Sequence, residues 1–287
     1  MVIVAAKTDL NVLNVKVDLD LKEEAWFLLR SDAHHDNPKC DRELELKHLK
    51  EAKERNAGII DAGDLFCAMQ GKYDKRSDKS ALRPEHQVTN YFDALIETAA
   101  DFYSPFAKQF LNLGYGNHEI SILEKHETDL TQRLASILND RTKSNIQTLG
   151  YTGWIKFRLD VKGHKAARIL WYTHGYGGGG PVSQDTIQAA RQREYIENAD
   201  IMLSGHVHRS WVQEFVRQKL RTDGTVERRI GYYIKTPTYK DAYGKGVKGF
   251  EVSKGMGPRP LGAYWLVFKP FRKNSAMGID ITVIKAN

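Results

Sequence analysis

The chain has 287 residues, 41% hydrophobic and 28% charged, which excludes a fibrous or low-complexity polymer and leaves room for one large core. No run approaches the roughly 20 apolar residues of a membrane span, and the apolar stretch at residues 2–6 is too short, and lacks the leading basic region, for a signal peptide. Two cysteines, Cys40 and Cys67, cannot build a disulfide framework, so a reducing, cytoplasmic setting is the expectation.

The predicted elements alternate from the start. Residues 25–30 (AWFLLR) are an apolar run that stops at Ser31-Asp32, which reads as a buried strand feeding a loop. Residues 42–55 carry Leu46, Leu49 and Lys53 near helical spacing and end at Asn56-Ala57-Gly58, predicting a surface helix. Residues 58–62 are the next strand and deliver Asp64. Pro84 opens a predicted helix running to about residue 100. Residues 110–113 (FLNL) form a third strand, and a helix is expected over 128–138. Residues 154–160 and 166–173 alternate like strands, the second ending at His174. A helix over 183–198 and a strand over 200–203 follow, and then Gly205-His206-Val207-His208. Residues 211–220 and 226–235 flank Thr222-Asp223-Gly224, a hairpin turn. Residues 264–269 and 279–284 read as further strands, and 239–262, rich in Gly, Lys and Pro, as a long loop. The expectation is one α/β domain over residues 1–287, with a basic, β-rich C-terminal part at 209–287.

Charge is unevenly placed within the formal +7: residues 209–273 hold 15 Lys and Arg against 5 Asp and Glu. Such asymmetry fits an anionic partner, nucleic acid or a phosphorylated substrate, and equally a solvated basic face.

Chemistry-bearing residues cluster just after the predicted strands. They are Asp32-Ala33-His34, Gly63-Asp64, Gly116-Asn117-His118-Glu119, His174 and Gly205-His206-Val207-His208. Open α/β sheets place binding sites beyond the carboxyl ends of strands. Asp offers a hard anionic oxygen, His a neutral nitrogen and Asn a neutral carbonyl oxygen, a mixture that suits Mn, Fe or Zn better than Ca. In extended chain, residues i and i+2 point the same way, roughly 6.5–7 Å apart. His206 and His208 can therefore serve different ions of a close pair, whereas Asp32 and His34 can grip one ion together. Asp64 is the natural bridge, since a carboxylate has two oxygens.

This ordered set resembles the calcineurin-like metallophosphoesterases, whose pattern runs D-x-H, G-D, G-N-H-D/E, a lone H, then G-H-x-H. All five blocks occur here in that order between residues 32 and 208. The resemblance implies a two-sheet β-sandwich flanked by helices (α/β, or α+β), with a dinuclear metal site at strand ends along one edge. It implies Asp32, His34 and His208 for one ion, Asn117, His174 and His206 for the other, and Asp64 bridging them. Asn117 and His118 would meet the substrate, with His118 assisting the leaving group. The implied cofactors are two divalent ions, Mn²⁺ foremost, with Fe, Zn or Mg compatible.

The chain also departs from the pattern. Many members carry a second Asp three residues after the bridging one, turned toward the catalytic His; here Cys67 stands there, so the partner of His118 is open. Ala68-Met69 and Tyr115 replace the arginines of the phosphoprotein-phosphatase branch, and the Gly63-Asp64-Leu65-Phe66 string is closer to the DNA-repair nuclease branch. Glu119 is read as support for its loop and Cys67 as a small buried residue. His35 is read as solvent-facing by the i, i+2 rule, and His48, His86, His126 and His164 as surface or capping residues.

The glycine run at residues 175–180 formally fits G-x-G-x-x-G, but the next strand ends in Ser204-Gly205-His206 rather than an acidic residue, so no dinucleotide cofactor is expected. The expected activity is hydrolysis of a phosphate ester by hydroxide activated between two metals. A phosphodiesterase or nuclease is favoured by the basic C-terminal segment and by Lys72, Lys75, Arg76, Lys79 and Arg83, close in sequence to Asp64. Among these, Lys72 and Arg76 are candidate substrate contacts. A phosphomonoesterase or nucleotide hydrolase is the alternative. A catalytically silent scaffold of the same fold is the remoter one, since every ligand type and His118 are retained. Nucleic acid is a possible partner, a membrane is not expected, and the oligomeric state leaves no mark in the sequence.

Overall fold

A computed structural model describes residues 2–68, 82–244, 252, 255–273 and 276–287. Lys72, Lys75, Arg76 and Lys79 lie outside the described residues, as does part of the 239–262 loop.

Two mixed sheets stack face to face. The six-stranded sheet contains β3 (Ala25–Arg30), β4 (Gly58–Asp61), β5 (Phe110–Leu113), β6 (Gln147–Thr148), β12 (Ala263–Lys273) and β13 (Ala276–Ala286), in the order β13-β12-β3-β4-β5-β6. The seven-stranded sheet contains β1 (Val2–Asp9), β2 (Val12–Leu19), β7 (Thr152–Val161), β8 (His164–Thr173), β9 (Ile201–Ser204), β10 (Trp211–Leu220) and β11 (Val226–Lys235), in the order β1-β2-β7-β8-β9-β11-β10. This is the helix-flanked two-sheet sandwich that the resemblance implies. The C-terminal residues extend both sheets, β10 and β11 joining one and β12 and β13 the other.

Period-2 alternation decides which side chains fill which layer. Phe27 and Leu29 of β3 face the seven-stranded sheet and pack with Val15, Phe157, Leu170, Leu203 and Phe268. Leu28, between them, faces the opposite way into a second core under the helices. That core is closed by α1 (Arg42–Glu54), α2 (Tyr91–Tyr103) and α4 (Leu130–Thr142) through Leu49, Ala52, Leu95, Ala99, Leu134 and Leu138. Each such Leu or Phe, taken fully out of water, contributes about 1.5–3 kcal/mol. On the outer face of the seven-stranded sheet, α5 (Thr186–Tyr195) covers Trp171, Met202 and Tyr233. Among the described residues no helix is long and apolar enough to cross a membrane.

Residues 2–19 carried no expectation, and two other elements differ from theirs. The first residues form the β1–β2 hairpin, with Leu13, Val15, Val17 and Leu19 buried in strict alternation. The helix expected from Pro84 is a 3-10 turn, Pro84–His86, followed by a break before α2. β-branched Val88 and Thr89 and a cap-preferring Asn90 interrupt the helical run. The GNHE block opens an unexpected helix, α3 (Asn117–His126), where the Glu119 side chain accepts the Gly116 N–H at 2.9 Å as one arm of a capping box.

Candidate metal centre

β3, β4 and β5 run parallel in one sheet, and β8 and β9 run parallel in the other. Parallel strands share an edge for their carboxyl ends. Asp32 and His34 follow β3, Asp64 follows β4, Asn117 and His118 follow β5, His174 follows β8, and His206 and His208 follow β9. The structure thus gathers every described residue predicted for the site.

Turning these side chains inward requires unusual backbone. Asp32, His34, Asp64, His206 and His208 have φ of 52°, 46°, 53°, 73° and 53°, the left-handed region. Each costs roughly 1–3 kcal/mol unless its surroundings fix it. Cross-loop backbone bonds do so: Asp32 N–H donates to Gly63 O at 2.9 Å and His34 N–H to Asp64 O at 3.0 Å. Two motif glycines are required by close approach. A Cβ on Gly116 would lie 1.9 Å from Asp64 Oδ1, and one on Gly205 would lie 2.4 Å from Asp32 Oδ2. Gly116 and Gly205 make room for the carboxylates of the neighbouring blocks.

Two ligand groups result. In the first, Asp32, His34 and His208 converge: His34 Nε2 is 3.2 Å from His208 Nε2, and Asp32 Oδ1 is 3.2 Å from His208 Nε2 and 3.9 Å from His34 Nε2. In the second, Asp64, His174 and His206 converge, with His174 Nε2 3.2 Å from Asp64 Oδ2 and Asn117 Oδ1 2.8 Å from His206 Nδ1. His174 Nε2 is also 4.0 Å from Asp32 Oδ1, so the groups adjoin. Neighbouring ligands on one ion with bonds of about 2.0–2.2 Å sit roughly 3–3.5 Å apart. The His34–His208, Asp32–His208 and Asp64–His174 spacings of 3.2 Å fall in that range, and Asp32–His34 at 3.9 Å and Asn117–His206 at 2.8 Å lie on either side of it.

The tautomers fit as well. His174 Nδ1 lies 3.0 Å from Ala62 O, and a carbonyl can only accept, so Nδ1 carries the hydrogen and Nε2 faces the carboxylates. His174 Nε2 is fully buried there without a hydrogen-bond partner. This donor set of carboxylate and imidazole, with one nitrogen left over, fits a divalent cation.

Electrostatics favour the ligand forms of Asp32, Asp64 and His34, and the protonated form of His174. Burial opposes ionisation of Asp32, but the hydrogen bond and charge of His208 outweigh it and hold that carboxyl below its usual range. Asp64 is likewise held well below, against its burial, by His174 and His118. Burial and the neighbouring His118 push His34 well down toward the neutral ring. Burial pushes His174 down, but the charge and hydrogen bond of Asp64, together with the Asp32 charge, carry it up to about 9.

His118 sits beside the second group, with Nε2 3.7 Å from Asp64 Oδ2 and its backbone N–H donating to Asp64 Oδ1 at 3.0 Å. The question raised by Cys67 has an answer in the backbone: His118 Nδ1–H donates to the Cys67 carbonyl at 2.5 Å, leaving Nε2 toward the site. The Cys67 thiol instead accepts from Asn37 Nδ2 at 3.3 Å, and burial pushes it up to about 12. Glu119 supports the loop as expected, accepting the N–H groups of Asp64, Phe66 and Gly116.

Several histidine expectations are corrected. His35 is buried, its Nδ1 3.0 Å from Glu45 Oε2 and its ring packed on Phe102 and Tyr103. The alternation rule failed because Asp32 and His34 are left-handed rather than extended. His48 and His86 are also buried, bonded to Tyr239 and Thr98. Beneath the site, Arg30 pairs with Glu45 and Asp61, each at 2.9 Å, all three fully buried. A charge inside the apolar run at residues 25–30 was the available signal for this pair. Burial opposes Glu45 ionisation, yet the Arg30 charge carries it down to about 2. His35, Cys40 and Glu45 also lie within ligand distance of one another, but Arg30 already neutralises Glu45, so that group reads as structural.

Part of the basic C-terminal segment is consumed internally. Lys235 is buried against Asp185, Arg217 donates to the carbonyls of Arg193, Ile196, Glu197 and Ala199, and Arg229 pairs with Glu227. Lys219, Arg221 and Arg228 on the β10–β11 hairpin remain exposed.

The sequence matches no protein-family model and no curated protein. Among solved structures it is similar to Vacuolar Protein Sorting 29 from Cryptosporidium parvum, at 10% identity and a TM-score of 0.37, covering 92% of this chain and 99% of that one. It is also similar to Vps29 from Chaetomium thermophilum, at 8% identity and a TM-score of 0.35, covering 91% and 97%. A third is GAP50, the anchor in the inner membrane complex of Plasmodium, at 13% identity and a TM-score of 0.38, covering 92% and 89%. Likeness at this level says nothing about activity.

Proposed function

We propose that the chain is a metal-dependent phosphoric ester hydrolase, acting on phosphodiesters and, as its most specific form, on nucleic acid. The observation that carries this reading is the pair of adjoining ligand groups, each drawn from both sheets, with His118 beside Asp64. Asp32, His34 and His208 would hold one divalent ion and Asn117, His174 and His206 the other, with Asp64 between them; Mn²⁺ is the proposed metal. Bound there, the ions would supply positive charge for the phosphoryl oxygens and acidify water.

The chain's own residues do the rest. The depressed Asp32 and Asp64 carboxyls stay ionised at neutral pH, whereas His174, raised to about 9, must release a proton to serve as a ligand. His118, held by its Nδ1–H on Cys67 O, presents Nε2 to the substrate; as the imidazolium it gives its Nε2 proton to the leaving oxygen and is left as the neutral Nδ1–H ring. Lys219, Arg221 and Arg228 are exposed at the end of the β10–β11 hairpin away from His206, where only a long polyanion spanning the sheet would meet them as well as the site.

Purified protein with Mn²⁺ should hydrolyse a bis-aryl phosphate faster than the mono-aryl ester, and a chelator should stop it. Faster turnover of the monoester would favour a phosphomonoesterase. No turnover of either, with metal bound, would leave a scaffold.

A further inference from the structure

We infer that Asp36 positions the His118 imidazole through an intervening peptide group, in place of the carboxylate that the resemblance would put at position 67. The inference deepens the hydrolase reading and rests on it for its kinetic consequence. Asp36 belongs to neither ligand group and is 3% exposed. Its Oδ1 accepts the Cys67 N–H at 2.5 Å and its Oδ2 the Ala68 N–H at 2.9 Å. The Ala68 N–H and the Cys67 C=O are two ends of one planar peptide unit. That same Cys67 oxygen accepts from His118 Nδ1 at 2.5 Å. The line therefore runs carboxylate, Ala68 amide, Cys67 carbonyl, imidazole.

Two physical consequences follow. A carboxylate on one end of a peptide polarises it, so the far oxygen becomes a stronger acceptor for the charged ring, which keeps His118 in the protonated form that donates. Bonding both consecutive N–H groups also fixes the orientation of the carbonyl. The fixing matters here because Ala68 has φ of 45°, a left-handed conformation that an alanine keeps only when its surroundings hold it. Tyr91 Oη donates to Asp36 Oδ2 at 3.4 Å from α2, tying the clamp to the helical layer. Asp36 thus does what the carboxylate of a His–carboxylate pair does, one peptide removed. It is a positioning residue and touches no reacting atom.

The test compares the full chain with Asp36→Asn, His118→Asn and the double variant, loaded with Mn²⁺ and assayed on aryl phosphodiesters of graded leaving-group acidity. Asp36→Asn should lower kcat about 10–100-fold, the usual effect of losing a ligand's supporting partner. KM and Mn²⁺ affinity should stay within about threefold. The loss should grow as the leaving group becomes poorer, and it should vanish in the His118→Asn background. An equal loss in that background, or a parallel loss of Mn²⁺ affinity, would overturn the inference and make Asp36 a plain loop support. Asp36→Glu, which keeps the charge but displaces it, is judged by the same criteria should Asp36→Asn fail to fold. Imidazole ¹⁵N spectra of the metal-free chain decide the point without turnover. The parent should show His118 protonated on Nδ1, and Asp36→Asn should show mixed tautomers; an unchanged tautomer overturns the inference. An inactive parent that still shows the tautomer change would sink the hydrolase reading and leave the positioning intact.

Discussion

Arg30 and Asp32 lie two residues apart, yet the polar clusters around them are built differently. Around Arg30, one buried guanidinium meets Glu45 and Asp61, and Glu45 also takes the His35 ring and the Tyr103 hydroxyl. Cation and anions offset one another in charge, although Arg30 Nη1 and His35 Nε2 are left without a hydrogen-bond partner. Around Asp32 and Asp64, imidazoles crowd two carboxylates, and ring nitrogens of His34 and His208 approach to 3.2 Å. One ring can donate to the other at that distance, and a cation shared by Asp32, His34 and His208 would satisfy both nitrogens and the carboxylate together. Buried polar groups that answer one another serve the fold, whereas those that converge on a common point wait for a ligand.

That contrast is exposed to experiment. Asp64→Ala should cause the largest loss, about 10³-fold or more in Mn²⁺-dependent turnover. Bound metal, measured by elemental analysis, should fall with it. A variant that keeps its metal and rate would erase the distinction between the clusters. His118→Asn should lower kcat by about 10²–10⁴-fold while metal content stays at the parent level.

Glu45→Gln should act on stability instead. It should cost about 3–5 kcal/mol in urea unfolding by leaving Arg30 short of a partner, with turnover per folded molecule retained. The sign of its pH dependence follows from the depressed carboxyl. Glu45 stabilises the folded chain above its ordinary pKa near 4.5, and that contribution is lost as pH falls toward about 2. The gap between parent and Glu45→Gln should therefore close on acidification through that window; a gap that widened would contradict the ion-pair account. The smallest effect is expected far from both clusters. Replacing Lys219, Arg221 or Arg228 by Ala should weaken binding to single- or double-stranded DNA, lowering the log–log salt slope by about 0.7–0.9 for each phosphate no longer neutralised. An unchanged slope would remove the hairpin from the proposed nucleic-acid face.

The ligand blocks were legible in the chain because parallel strands deliver their carboxyl ends to one edge, so a ligand-type residue after each apolar run means convergence. The strict alternation of Leu13, Val15, Val17 and Leu19 was equally present and marks β2 without reference to the rest. Other features were hidden for definite reasons. His35 turned inward because the left-handed residues beside it broke the alternation rule. Asp36 left no pattern, since its partners are backbone amides that every residue type but proline carries. The Lys235–Asp185 pair is hidden in the basic composition, where a buried lysine counts the same as an exposed one.

Neither sheet owns a complete set of donors. Asp32 and His34 come from the six-stranded sheet and their companion His208 from the seven-stranded one; Asp64 and Asn117 likewise need His174 and His206 from across the sandwich. A cation in either group would be a rivet through both leaves. Parting the leaves would then mean surrendering the ion, so heat resistance should climb with free Mn²⁺, by about 2.7 kcal/mol at a hundredfold excess over the dissociation constant. Melting curves alone would report whether the rivet is in place, with no substrate in the tube.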